Sequence, residues 1–165
     1  MKVDPSAEGF TPVSIAGGMT VREYVGWEAL QRALSVDHLE SQWEALLICD
    51  ETASFYQTPL WCLTWYRCYL DDYEPVVLTT WDGTRLSGLA PCARKRRFNR
   101  LIFAGAGMSD YRDVVTSLSS REAFLDVILP RMEAHAGGHP IAFGQTQPRS
   151  PTTALVEAWA QRVAD

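Results

Sequence analysis

Two apolar runs, Val76 to Trp81 and Arg85 to Ala93, flank Asp82-Gly83, and no other feature limits the fold of this chain as much. Asp-Gly between strand-like runs marks a tight hairpin, because glycine reaches the positive φ that a type I′ turn requires at no steric cost. Pro91 falls late in the second run, and its missing N–H points to an edge position or a bulge there. Leu101 to Ala104 supplies a third apolar run, so the spacing predicts an antiparallel meander.

Helices are expected around this meander. From Val36 to Cys49 the apolar residues Leu39, Trp43, Leu46 and Leu47 recur at helical spacing, with Ser35 as the cap. Thr58-Pro59 opens a second helix, since proline at the first helical position gives up an N–H that would have no partner there. Trp61, Trp65 and Tyr69 then lie on one face, read as a core-facing stripe rather than a ligand box, and Asp71, Asp72 and Glu74 mark the solvated end. Ser120 to Ala136 reads as a helix capped by Ser120, with Phe124, Ile128, Leu129 and Met132 inward, a kink at Pro130 and a stop at Gly137-Gly138. Ile141 to Phe143 reads as a short strand, and Thr152 to Val163 as a last helix with Leu155, Val156 and Trp159 inward. Val21 to Val25 is a short strand, and residues 1–20 mix Gly, Pro, Ser and Thr without a period, as in a flexible arm. The resulting order describes an α+β fold, a single domain over residues 21–165.

Composition narrows the function classes. A chain of 165 residues can bury a real core, and 47% hydrophobic with 21% charged residues is globular rather than disordered. The formal charge of −5 offers no general attraction to nucleic acid or to an anionic membrane. No signal-like segment opens the sequence and no run approaches the ~20 apolar residues of a membrane span, so a cytoplasmic location is expected. Cys49, Cys62, Cys68 and Cys92 form no C-x-x-C pair, and reduced thiols in apolar surroundings are expected.

Several candidate chemistries stand against simpler readings. Arg94, Lys95, Arg96, Arg97 and Arg100 could seat a phosphate-bearing ligand, or could simply be a solvated strand end that discourages edge pairing. His135 and His139 are four apart, but the glycines between them interrupt a helix face and no third ligand completes a metal site. Ser109 lacks the context of a nucleophilic serine. Gly105-Ala-Gly107 resembles part of a phosphate loop, yet no helix opens directly after it, and a tight strand-end bend explains it equally. Asp110, Tyr111 and Asp113 could orient or deprotonate an amine or hydroxyl and protonate a leaving group; turn chemistry alone also accounts for an Asp after Ser in a bend.

A series of motifs in fixed order resembles the N-terminal half of the CelD-like, cellulose-biosynthesis-type acetyltransferases of the GNAT superfamily, which are similar in arrangement to Fem-type aminoacyl transferases. The series runs Trp43-Glu-Ala-Leu46, Ser54-Phe-Tyr-Gln-Thr-Pro59 with Trp61 and Trp65, Gly88-Leu-Ala-Pro91, then Phe103-x-Gly-x-Gly107-x-Ser-Asp-Tyr111-x-Asp113, with Gln145 and Ser150-Pro151 following. The resemblance implies a GNAT-like sheet, and an acyltransferase in which a second half carries acetyl-CoA or another acyl-CoA while this half shapes the acceptor cleft. It further implies that Asp110 orients or deprotonates the acceptor and that Tyr111 assists the departing thiolate. Asp113 and Gln145 would contact the acceptor, a small molecule or saccharide, with no metal required. An Arg/Gln-x-x-Gly-x-Gly/Ala loop that opens a helix, as holds the CoA pyrophosphate in ordinary GNAT domains, is lacking. The alternative reading is a non-catalytic module that pairs with a separate CoA-binding chain or with itself.

Overall fold

A computed structural model describes residues 13–14, 18–143 and 145–164. At its centre is the expected hairpin, strand β3 (Tyr73–Asp82) against strand β4 (Arg85–Lys95), in register from Tyr73↔Lys95 to Asp82↔Arg85 with one irregularity at Thr80/Trp81. The turn is Gly83-Thr84, one residue later than Asp82-Gly83, and Gly83 takes the positive φ of 58° that the turn needs. Val76, Val77 and Leu78 are all buried, so the hairpin is covered on both faces rather than alternating between core and solvent.

Strand β2 (Met19–Val25) lies on the other side of β3, and the two residues of β1 (Val13–Ser14) pair with it. Of the arm expected over residues 1–20, most lies outside the described residues, and the described part joins the sheet. Strands β5 (Arg100–Phe103) and β6 (Val115–Thr116) share the remaining edge of β4, at Cys92–Lys95 and Gly88–Leu89 respectively. Every strand pair among the described residues is antiparallel, which makes the fold α+β.

Pro91 is neither at an edge nor in a bulge; it pairs with Val77 in the middle of the sheet. The position tolerates proline for a specific reason. The Pro91 carbonyl faces the β5 side, where it accepts the Ala104 N–H at 2.8 Å. In an antiparallel ladder a residue's N–H points the same way as its C=O, so the missing donor falls in the gap where the chain leaves β5 before returning as β6.

Helices α1 (Trp27–Val36), α2 (Leu39–Ile48) and α3 (Pro59–Cys68) cover one face. Their core joins Leu30, Leu39, Trp43, Leu63, Trp65 and Tyr66 to Val77, Leu89 and Val115 of the sheet. Spacing assigned no element to Trp27–Val36, and Ser35 is a residue of α1 rather than a cap; its hydroxyl bonds back to the Arg32 carbonyl at 3.0 Å. His38, in a left-handed conformation at φ 52°, is the residue that starts α2. Thr58 caps α3 as expected, its hydroxyl accepting the Trp61 N–H at 3.2 Å with Pro59 at the first turn.

The opposite face is covered by α4 (Arg121–Ala136) and α5 (Thr152–Ala164). Phe124, Ile128, Leu129 and Met132 point inward as predicted, against Val76, Leu78, Cys92 and Phe103. The helix continues through the exposed Pro130 and ends at Gly137. Gly88 faces Phe124 so closely that a Cβ there would lie 2.2 Å from its ring, which makes glycine a packing requirement on β4. Residues 141–143 are not a strand; Phe143 is buried by packing its ring on Phe103 at 5.3 Å between centroids. The four cysteines are free, and burial pushes the thiols of Cys62 and Cys92 well up, which keeps them protonated and inert. No helix among the described residues is long and apolar enough to cross a membrane.

Candidate functional site

The candidate residues sit on the excursion between β5 and β6. Gly105, at φ 80°, turns the chain out of the sheet, and its carbonyl accepts three donors: the backbone N–H groups of Met108 and Ser109 at 2.8 and 2.9 Å, and the Ser109 hydroxyl at 3.0 Å. A side chain at this position would also strike Trp61, since a Cβ would lie 2.8 Å from its indole nitrogen. Two independent reasons therefore demand glycine here. The turn rests on α3, and the buried indole N–H has no hydrogen-bond partner among the described residues.

Beyond the turn the chain reaches Asp110, Tyr111, Arg112 and Asp113, and the two aspartates part company. Asp110 is exposed, and its Oδ2 accepts the Tyr56 hydroxyl at 3.0 Å. Its other carboxylate oxygen takes no hydrogen bond from any described residue. Tyr56 in turn is rigidly placed. Ser54 and Gln57 form a reciprocal capping box around its 3-10 turn, and the Gln57 carbonyl accepts the buried Trp43 indole N–H at 2.8 Å. The rings of Phe55, Tyr56 and Trp61 pack edge to face or tilted at 5.3 to 6.0 Å, giving an aromatic wall beside the Asp110 carboxylate. The hydrogen bond to Asp110 raises the Tyr56 pKa above its ordinary value, so at neutral pH Tyr56 is a donor holding the carboxylate in place.

Asp113 is only 2% exposed and turns inward. Its Oδ2 accepts Arg121 Nη1 at 3.2 Å and the Ser150 hydroxyl, and its Oδ1 accepts the Val114 N–H at 2.7 Å. Arg121, fully buried, also donates through Nη2 to Asp50 Oδ2 at 2.7 Å, to Thr52 at 3.0 Å and to the Thr116 carbonyl at 3.0 Å, and through Nη1 to Thr152 at 2.9 Å. Burial pushes the Asp113 carboxyl upward, against the opposing pull of Ser150 and Arg121. This knot ties the end of α2, the excursion, β6, α4 and the start of α5 to one guanidinium. Asp113, expected to meet an acceptor, instead serves the interior.

Tyr111 is half-buried beside Asp110, and its hydroxyl has no partner among the described residues. Gln145 does not join Asp110. Its carbonyl accepts the Arg112 N–H at 2.6 Å and its side-chain oxygen accepts the Arg112 guanidinium, which fastens the far side of the excursion. The structure thus brings Asp110 and Tyr111 to the surface together and gives Asp113 and Gln145 structural partners. Tyr56, Phe55 and Trp61 were not among the expected site residues, although Ser54-x-x-Gln57 carries the legible signature of a cap that fixes Tyr56.

The start of α4 does not fit the pyrophosphate of CoA. The hydroxyls of Ser117, Ser119 and Ser120 bond one another, and Arg121 points away into the buried carboxylates. His135 is engaged with Glu23 and Arg94, at 2.8 and 2.9 Å, while His139 lies beyond the helix end, so the two do not form a pair. The basic cluster is divided between the strand end and the β4–β5 turn, with Arg94 paired to Glu74 at 2.8 Å. No family model, curated protein or solved structure matches the chain.

Proposed function

We propose that this chain is an acceptor-binding domain for acyl transfer, one that receives an amine or hydroxyl nucleophile at Asp110 while the acyl-CoA donor is held by another domain or chain. The observation that carries this reading is the exposed Asp110 carboxylate, anchored on one oxygen by Tyr56, open on the other, and set against the wall of Phe55, Tyr56 and Trp61. An N–H or O–H entering beside that wall meets a fixed acceptor. The ring faces favour a cationic amine or the C–H face of a polyol. Asp110 would hold the nucleophile in one orientation and take up its proton, from an ammonium before attack and from a hydroxyl as attack proceeds, and Tyr56 would keep the carboxylate from turning away. Most of the rate gain comes from that positioning. Tyr111, adjacent and with an uncommitted hydroxyl, is the second group able to donate.

The test is a titration with small amines and polyols followed through the backbone amide signals of residues 105–111. Saturable shifts that disappear in Asp110→Asn and weaken in Tyr56→Phe are expected. In a reconstituted transfer reaction Asp110→Asn should lower kcat/KM by about 10²- to 10⁴-fold, and unchanged turnover would remove the assignment. Calorimetric titration with acetyl-CoA should show no saturable binding by this chain alone. A second reading, an assembly module, draws on the exposed Phe55, Leu60 and Met108 near the same edge, at 56%, 68% and 55% exposure. It predicts self-association or capture of a partner in sedimentation, with no response to small amines or polyols.

A further inference from the structure

On the opposite face of the sheet, α4, α5 and residues 138–143 line a half-open pocket of about 440 Å³, within the range of small-molecule sites. Its walls are apolar. Leu129 comes from α4, Ile141 and Phe143 from the connecting segment, and Val156, Trp159 and Ala160 form one stripe of α5 at i, i+3 and i+4. The floor is firm, because Phe143 is buried against Phe103.

Helix α5 cannot settle into this space without losing its anchors. At its start Thr152 is bonded to Arg121 inside the buried knot, and in its last turn Arg162 pairs with Asp126 at 2.6 Å and with Glu122 at 3.5 Å. Between those pins, Leu155, Val156 and Trp159 are only partly buried. The helix is held at both ends over a gap that its own side chains do not fill.

Among the described residues, polar side chains enter the lining only at Glu133 and His139. Glu133 follows Leu129 by four residues, on the same face of α4, and forms no ion pair among the described residues. A carboxylate at the mouth of an apolar chamber, with an indole ring for a wall, selects by charge and by shape. We propose that this cavity binds a small aromatic amine, with the ring between Trp159 and Phe143 and the ammonium group at Glu133. The charge-assisted contact favours the cation, and the two aromatic walls favour the ring.

Phenethylamine, 3-phenylpropionate and benzyl alcohol are the probes, each titrated against the full chain while the methyl signals of Leu129, Ile141 and Val156 are followed. Phenethylamine is expected to give saturable shifts with an affinity at least about tenfold above that of 3-phenylpropionate. Glu133→Gln should bring the two close to parity while leaving benzyl alcohol unchanged. Ala160→Trp, or Val156→Phe if that chain fails to fold, should abolish all three responses by filling the chamber. Absence of saturable methyl shifts in the unmodified protein, or equal affinity for amine and carboxylate, overturns the proposal. Asp110→Asn should leave every one of these shifts in place, so the fate of this site is read separately from that of the acceptor edge.

Discussion

Asp110 and Asp113 stand three residues apart on one excursion, and they occupy opposite extremes of environment. Asp113 shares a fully buried arginine with Asp50, and the hydroxyls of Thr52, Ser150 and Thr152 with the Thr116 carbonyl complete the arrangement. Asp110 lies in solvent with a single tyrosine for company. The inner group gives up its solvation and is compensated by nearly complete hydrogen bonding, with only Arg121 Nε left without a partner among the described residues. The outer group keeps its freedom to accept a new donor. Holding a loop firmly from below is what allows the residue at its tip to stay uncommitted.

The widest separation between the two regions should come from Arg121→Ala. It leaves two carboxylates buried without their counter-charge, and a loss of about 3 to 5 kcal/mol in urea unfolding is expected; a loss below about 1 kcal/mol would show that the knot is not a principal tie. Gly105→Ala strikes the turn that places the two aspartates, through its positive φ and the contact with Trp61. A cost of about 1 to 3 kcal/mol, with a displaced Trp61 indole signal in NMR, is expected.

A third polar region, half-exposed, sharpens the contrast by its response to pH. Glu23 accepts from His135 and from Arg131, and the hydrogen bond from His135 is the main reason its carboxyl lies below the ordinary 4.5. Arg94 has only donors to offer, so His135 Nδ1 must accept from it and the ring proton sits on Nε2, facing Glu23. A folded-state pKa below the unfolded one means that the stabilisation is fully present above 4.5 and is lost as pH falls through the lowered value. Glu23→Gln should therefore flatten the acid limb of a stability-versus-pH curve, and an unaltered limb would contradict this coupling. The smallest stability effect belongs to the outer pair: Asp110→Asn and Tyr56→Phe should each change stability by less than about 0.5 kcal/mol. Asp110→Asn should also bring the Tyr56 hydroxyl back down toward its ordinary pKa of 10.0, as read by ultraviolet titration.

What the residues reveal in advance follows the range of the forces involved. The hairpin, the Thr58-Pro59 helix start and the inward stripe of α4 rest on local periodicity and turn chemistry, and all three are legible. The miss at Trp27–Val36 is also local, since two helices separated only by Asp37-His38 merge into a single pattern whose second half alone is recognised. Pro91 misleads because its tolerance depends on where β5 ends, which is a property of the neighbouring strand. The separate fates of Asp110 and Asp113 lie beyond any local pattern. They are decided by Arg121, which looks like an ordinary first-turn residue, and by Asp50, 71 positions earlier than Arg121. Tyr56 is an intermediate case: its cap is local, but its partner is 54 positions away.

The proline at the middle of β4 has one more implication, for how this edge of the sheet can change. Because Pro91 offers no donor where β5 gives way to β6, the register of β5 and that of β6 are set independently, each by its own pairs along β4. Residues can therefore be added to or removed from the tip of the intervening excursion without sliding either strand, provided that the Gly105 turn and the Asp113 anchor remain. Here the sheet provides a socket of constant geometry for a segment of variable length. New binding specificities could be grafted into that socket while the frame beneath keeps its alignment.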